Sequence, residues 1–208
     1  YIAWAWDAGT SWSSSDGDVT AGTFASSGYT NRTAGFSIVT YEGDQGSTPT
    51  GTVGHNLGAK PEFIIIKNYD ESSKKWVVGH KDIQSGAWTH HLYLDGTHAE
   101  VDANTRFNDT PPTSTVFSIR DSSYVNATNK SHIAYCWTSK PGFSAFGSYV
   151  GNDSNPGPFN YTGFAPRWVM IKNSTAGGSS YAKNWHIYDT ARNSYSSMAV
   201  NQIENVLF

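Results

Sequence analysis

Apolar and polar residues alternate with a period of two wherever a pattern can be read in this chain, the spacing of strands with one covered face. Residues 115–120, Thr-Val-Phe-Ser-Ile-Arg, alternate after their start. In 133–137 the bulky Ile133, Tyr135 and Trp137 share one face, and the small Ala134 and Cys136 share the other. Residues 63–66, Phe-Ile-Ile-Ile, are apolar on both faces and predict a central strand, ended by the polar Lys67 and Asn68. Further strands are expected at 36–41, 50–53, 75–78 and 88–94. About seven strands in roughly 105 residues, with Gly, Pro, Asn or Asp in most connections, predict an all-β fold: an antiparallel β-sandwich of jelly-roll or concanavalin-like kind. No segment before about residue 194 has helical periodicity.

The pattern also repeats. Pro-Glu-Phe-Ile-Ile-Ile-Lys-Asn at 61–68 returns as Pro-Arg-Trp-Val-Met-Ile-Lys-Asn at 166–173, an offset of 105. On either side Gly35-Phe36-Ser37 returns as Gly142-Phe143-Ser144, Tyr41-Glu42-Gly43 as Tyr149-Val150-Gly151, and Trp76 as Trp185. The offsets drift from 105 to 109, as loop insertions between equivalent strands would make them. A further echo joins Tyr-Ile-Ala-Trp-Ala-Trp at 1–6 to His-Ile-Ala-Tyr-Cys-Trp at 132–137. Residues 1–34 therefore read as the last strand of a preceding unit plus a Ser/Gly/Thr-rich insertion, 35–141 as a complete unit, and 142–208 as a truncated second copy. Trp76 and Trp185, equivalent by this alignment, are expected in the core. A chain that starts without Met and stops on an apolar run is expected to be a piece of a longer protein.

Composition narrows the picture. Charged residues make up 15% and aromatics 14% at a formal charge of −3, where a disordered chain would have few rings and high charge. Lys and Arg number 14 and form no run, so nothing predicts nucleic acid or an anionic membrane as partner. No stretch approaches the roughly 20 apolar residues of a membrane helix. Cys136 is the single cysteine, which excludes an intrachain disulfide. Seven Asn-x-Ser/Thr triplets, at Asn31, Asn108, Asn126, Asn129, Asn152, Asn160 and Asn173, are what so much Asn, Ser and Thr makes by chance.

Tests for catalytic machinery fail one by one. Gly142-Phe143-Ser144-Ala145-Phe146-Gly147 has one residue too many between Ser and the second Gly for a nucleophile elbow. Gly51, Gly54 and Gly58 lack the spacing, the Lys and the helix of a phosphate loop, and a hairpin over 53–58 is expected instead. The seven histidines include no His-x-His pair, and the adjacent His90 and His91 point to opposite faces of a strand, so no metal site is expected. The Asp-rich turns at Asp16, Asp18 and Asp153 are the place to consider for Ca²⁺. Of the acids a glycosidase would need, Glu62 and Glu42 have Arg167 and Val150 as counterparts. No catalytic residue, cofactor or enzyme activity is expected. What remains is aromatic: Trp12, Tyr29, Trp88, Tyr93, Tyr124, Tyr181 and Tyr195 lie in or beside polar segments, where flat rings can stack on sugars.

The segments 35–41, 53–58, 108–118, 133–137, 161–166 and 187–193, read in order, resemble the repeated β domain of unassigned function in structural, lectin-like and tail-fibre proteins of marine bacteriophages. The Ser-rich insertion after Trp6 and the tail after Tyr195 depart from it. The resemblance implies a virion component at the particle surface, involved in recognising a host glycan, trimeric by analogy and joined to other virion proteins. A carbohydrate-binding adhesin module, a structural spacer and a polysaccharide-degrading enzyme are the alternatives.

Overall fold

The computed structural model describes residues 3–17, 19–175 and 183–190. Its first six strands are β1 Thr10–Ser13, β2 Ser26–Asn31, β3 Phe36–Gly43, β4 Gly51–Gly54, β5 Phe63–Asn68 and β6 Val77–His80. There follow β7 His90–Tyr93, β8 Val101–Asp102, β9 Val116–Ile119, β10 Lys130–Trp137, β11 Trp168–Lys172 and β12 Trp185–Asp189. The protein is all-β, and its one helical turn among the described residues is a 3-10 segment at Ile83–Gly86.

Eight strands make one antiparallel sheet in the order β1-β2-β3-β10-β5-β6-β7-β8. β10 is its spine, pairing with β3 from Lys130–Gly43 to Trp137–Phe36 and with β5 from His132–Asn68 to Trp137–Phe63. The doubly apolar β5 lies between β10 and β6, as its pattern predicts. One face of the sheet presents Val39, Ile64, Ile66, Val77, Ala134 and Cys136, all fully buried. The ribbon formed by β4 and β9 packs Val53, Phe117 and Ile119 into the same core, with Trp12, Phe24, Leu57, Trp88, Phe107 and Val125 around it. β10 thus turns its small residues inward, and Ile133, Tyr135 and Trp137 stand half-exposed on the outer face.

Two expectations change, at residues 53–58 and at Trp76 and Trp185, and the insertion after Trp6 gains a structure. Because β4 pairs with β9 and not with β5, residues 53–58 cross from ribbon to sheet and close no hairpin, although Asn56 (φ 51°) and Gly58 (φ 71°) do supply the expected left-handed turn. The insertion after Trp6 is structured: it holds β1 and β2, which widen the sheet beyond β3. β2 reads Ser-Ser-Gly-Tyr-Thr-Asn, too polar to announce a strand, and its Gly28 lets the backbone close in where a Cβ would stand 1.8 Å from the Ile38 carbonyl oxygen. Trp76 and Trp185 are half-buried where core positions were expected.

The second hairpin, β11 with β12, repeats the register of β5 with β6. Ile66 faces Val77 and Phe63 faces His80; 105 and 109 positions on, Ile171 faces His186 and Trp168 faces Asp189. The side-chain oxygens of Asn68 and Asn173 each accept from the backbone N–H two residues ahead, of Asp70 and Thr175. Residues 143–151, aligned with β3, form no strand, because β3 is held between β2 and β10 and the described residues of 142–190 offer neither neighbour. Met170 and Trp185 dock the hairpin on the outer face of the large sheet, against the cluster of Phe63, Ile65, Val78, Ile83 and Leu92. The Trp185 indole N–H donates to the Tyr93 carbonyl at 2.9 Å.

Candidate functional site: an aromatic groove on the outer face

Strand registers align Tyr29, Ile38, Tyr135, Ile65, Val78 and Leu92 in one row across the outer face. The docked hairpin covers the Leu92 end of that row. Over its centre lies an open groove of about 590 Å³ lined by Thr40, Lys67, Tyr69, Asp70, Ser72, Trp76, Ile133 and Tyr135. Ile133 and Tyr135 form the floor because β10 puts its bulky residues outward. Tyr135 continues into Trp137 (ring centroids 6.1 Å apart), and Trp137 into Phe36 (5.0 Å), as a stacked aromatic row.

The rim is the loop between β5 and β6, whose shape is set by buried Asn68. Its side-chain oxygen accepts from the N–H groups of Asp70 and Glu71, and its amide donates to the Ser123 carbonyl. The Lys67 ammonium spans the loop, donating to the carbonyls of Glu71 and Lys74. Asp70 is then fixed at the groove edge, where its Oδ2 accepts from the Ser131 N–H at 2.7 Å. That hydrogen bond holds its carboxyl below the usual carboxylate range, so the group is ionised at neutral pH and can accept from a ligand hydroxyl. Tyr69 and Trp76 add rings at the rim, Tyr69 being 54% exposed. Aromatic floor, hydroxyls and one carboxylate are the equipment for stacking on a sugar ring and bonding its hydroxyls.

Of the aromatic candidates among the described residues, only Tyr29 shares this face; it is 52% exposed and stands in the same cross-strand row as Tyr135. Trp12 and Trp88 are corrected: at 7% and 1% exposure they belong to the core and have no face for a ligand. Trp88 lies edge-on to Phe107, and both pack over Gly79, where a Cβ would stand 2.3 Å from the indole. Tyr93 and Tyr124 come together, but cations already occupy their rings, Arg106 and Lys74 over Tyr124 and Lys75 over Tyr93. Tyr181 and Tyr195 lie outside the described residues, as does Asp18. Among the described residues no group of three His, Cys, Asp or Glu gathers at metal-binding distance; Asp16 instead accepts from the Ser13 N–H, and Asp153 is exposed.

Trp76, expected in the core, and Tyr135, expected only to share the bulky face of its strand, are the groove residues that the sequence pattern does not single out. The signal that marks Tyr135 is the parity of β10: a central strand with rings on one face and Ala and Cys on the other leaves the rings outside when its partner ribbon approaches closely.

No curated protein and no solved structure matches this chain. A family model does, over residues 1–206, and the chain belongs to that family, described as a domain of unknown function (DUF7483).

Proposed function

We propose that this chain is part of a virion appendage, a bacteriophage tail fibre or similar structure, which recognises a host-surface glycan through the groove over Tyr135. The observation that carries the reading is the groove itself: rings of Tyr69, Trp76 and Tyr135 around a fixed, ionised Asp70. The phage-domain resemblance of the sequence motifs supports the setting. In that setting the module acts at the particle surface as a homo-oligomer, a trimer by analogy, and repetition raises a weak sugar contact by avidity. The reading includes a β-sandwich organisation and a tandem duplication, with 35–141 a whole unit and 142–208 a partial one. Equal registers in the two hairpins support the duplication.

Glycan-array binding by the full chain tests the proposal, with Trp76→Ala and Tyr135→Ala as controls expected to weaken any hit by roughly tenfold or more. Hits that survive both substitutions move the site elsewhere and sink the groove. Hits from the isolated chain with no virion location favour an adhesin module, silence on the array favours a spacer, and release of reducing ends from a bound polysaccharide identifies an enzyme.

A further inference from the structure

The strands that the insertion after Trp6 adds, β1 and β2, extend the outer face on the side of the groove away from the docked hairpin. Trp12, Ser26 and Thr30 point inward and are buried, so by alternation Ser11, Ser27 and Tyr29 stand on the outer face. Thr40 belongs to both regions. It lines the groove, and its hydroxyl donates to the Ser27 carbonyl at 3.1 Å, with the Ser27 hydroxyl 3.2 Å away. The groove therefore continues onto β2.

Tyr29 is the one large ring on that continuation. Only β3 lies between it and Tyr135, with Ile38 at the shared register position, so the two rings stand two strand spacings apart, about 10 Å. The positions that join them, Ile38 in one row and Thr40 and Ser27 in the next, carry no charge and offer two hydroxyls. Two other ways out of the groove are occupied. Toward Leu92, Met170 and Trp185 pack on the sheet. Along β10, the Trp6 ring lies 6.5 Å from both Phe36 and Trp137. Toward β2 the face meets solvent, Ser27 being exposed and Tyr29 52% exposed.

We propose that the groove and β2 form one extended site for a linear oligosaccharide several units long. The chain crosses the strands, with one sugar unit on Tyr135 beside Trp76 and Asp70 and a later unit on Tyr29. This rests on the glycan reading of the groove and adds the form of the ligand. Rings two strands apart are too far from each other to stack on a single pyranose, whereas an extended chain can give each ring the apolar face of a different unit. The hydroxyls of Ser27 and Thr40 both donate and accept, so they can bond the hydroxyls of the units between. A single terminal sugar would use the Tyr135 end alone.

Titration of the full chain with cello-, manno- and chito-oligosaccharides, and with the ladder cut from the strongest array hit, tests this, each from the monosaccharide upward. Wild-type affinity is expected to rise roughly tenfold or more once the oligomer is long enough to reach from Tyr135 to Tyr29, and then to level off. Tyr29→Ala, at an exposed position, is expected to erase that gain, so that long and short oligomers bind alike. Tyr29→Trp keeps a ring there and is expected to retain it, and Tyr135→Ala to weaken binding at every length. Affinity that does not grow with length, or a gain that survives Tyr29→Ala, overturns the extended site and leaves the groove in place. Silence on every ladder removes sugar from the groove and this proposal with it.

Discussion

Lys67 and Lys172 stand 105 positions apart and make the same kind of contact: each ammonium reaches across its own hairpin loop, Lys67 to the carbonyl of Lys74 and Lys172 to that of Lys183. Lys183 is where the 109-residue offset of the second strand puts Lys74. Each also takes a further carbonyl, of Glu71 and of Thr97, so Lys172 fastens its hairpin to the loop after β7 as well. Replacing either by Met keeps the stem and removes the charged donor. Chemical denaturation is expected to show losses of about 1–3 kcal/mol for Lys67→Met and about 0.5–1.5 kcal/mol for the less enclosed Lys172→Met. A cost at 67 with none at 172 would contradict their equivalence.

Acid should unfold the protein through its histidines. His55, His91 and His132 are buried, and loss of water holds each down to about 4. His55 and His132 are wired for the neutral ring: one nitrogen faces a carbonyl, of Thr113 or Lys130, and the other accepts a backbone N–H, of Leu57 or Ala127. A proton on the accepting nitrogen would face another N–H. The folded state therefore binds fewer protons than the unfolded chain below pH 6.5, so this stability is complete above 6.5 and is lost as pH falls toward 4. Each ring contributes a slope of about 1.4 kcal/mol per pH unit in that window. Denaturant titrations from pH 7 to 5 are expected to show the decline, and His132→Gln to flatten it by about a third; a flat profile rules the mechanism out.

Trp88 is a structural residue. Trp88→Ala is expected to cost about 3–5 kcal/mol, as truncation of a core ring does. Gly79→Ala, which sets a methyl into the same indole and the Phe107 ring, is expected to cost about 1–3 kcal/mol or more. Neither change should alter the glycan preference of what remains folded, and a changed preference would return Trp88 to the binding surface.

Tyr135→Ala and Trp76→Ala remove half-buried rings and are expected to cost less, about 1–3 kcal/mol, while abolishing most glycan affinity. Asp70→Asn keeps an oxygen for the Ser131 N–H but loses the charge. It should weaken binding at nearly unchanged melting temperature, and full binding by this variant would remove Asp70 from the site.

Much of the sheet is legible in the sequence. The strict alternation of 133–137 admits one placement, because a one-residue slip would exchange buried and exposed faces, and Phe63–Ile66, apolar on both faces, fits only an interior strand. β1 and β2 were hidden because their pairing rests on backbone hydrogen bonds and on Gly28, which leave no apolar period. Trp12 and Trp88 misled for a related reason: they sit among polar neighbours in sequence, and only the folding of those segments over the sheet buries them. The groove escaped notice because its rim depends on Asn68 organising a loop, an interaction between one side chain and the backbone that periodicity does not register.

The parity of β10 also separates two kinds of change this protein can tolerate. Positions 132, 134 and 136 meet the interior, and substitutions there alter how closely sheet and ribbon approach. Positions 133 and 135 meet whatever arrives from solvent. A lineage exchanging rings at the odd positions would redraw the surface offered to a partner while the even positions went on holding the molecule together.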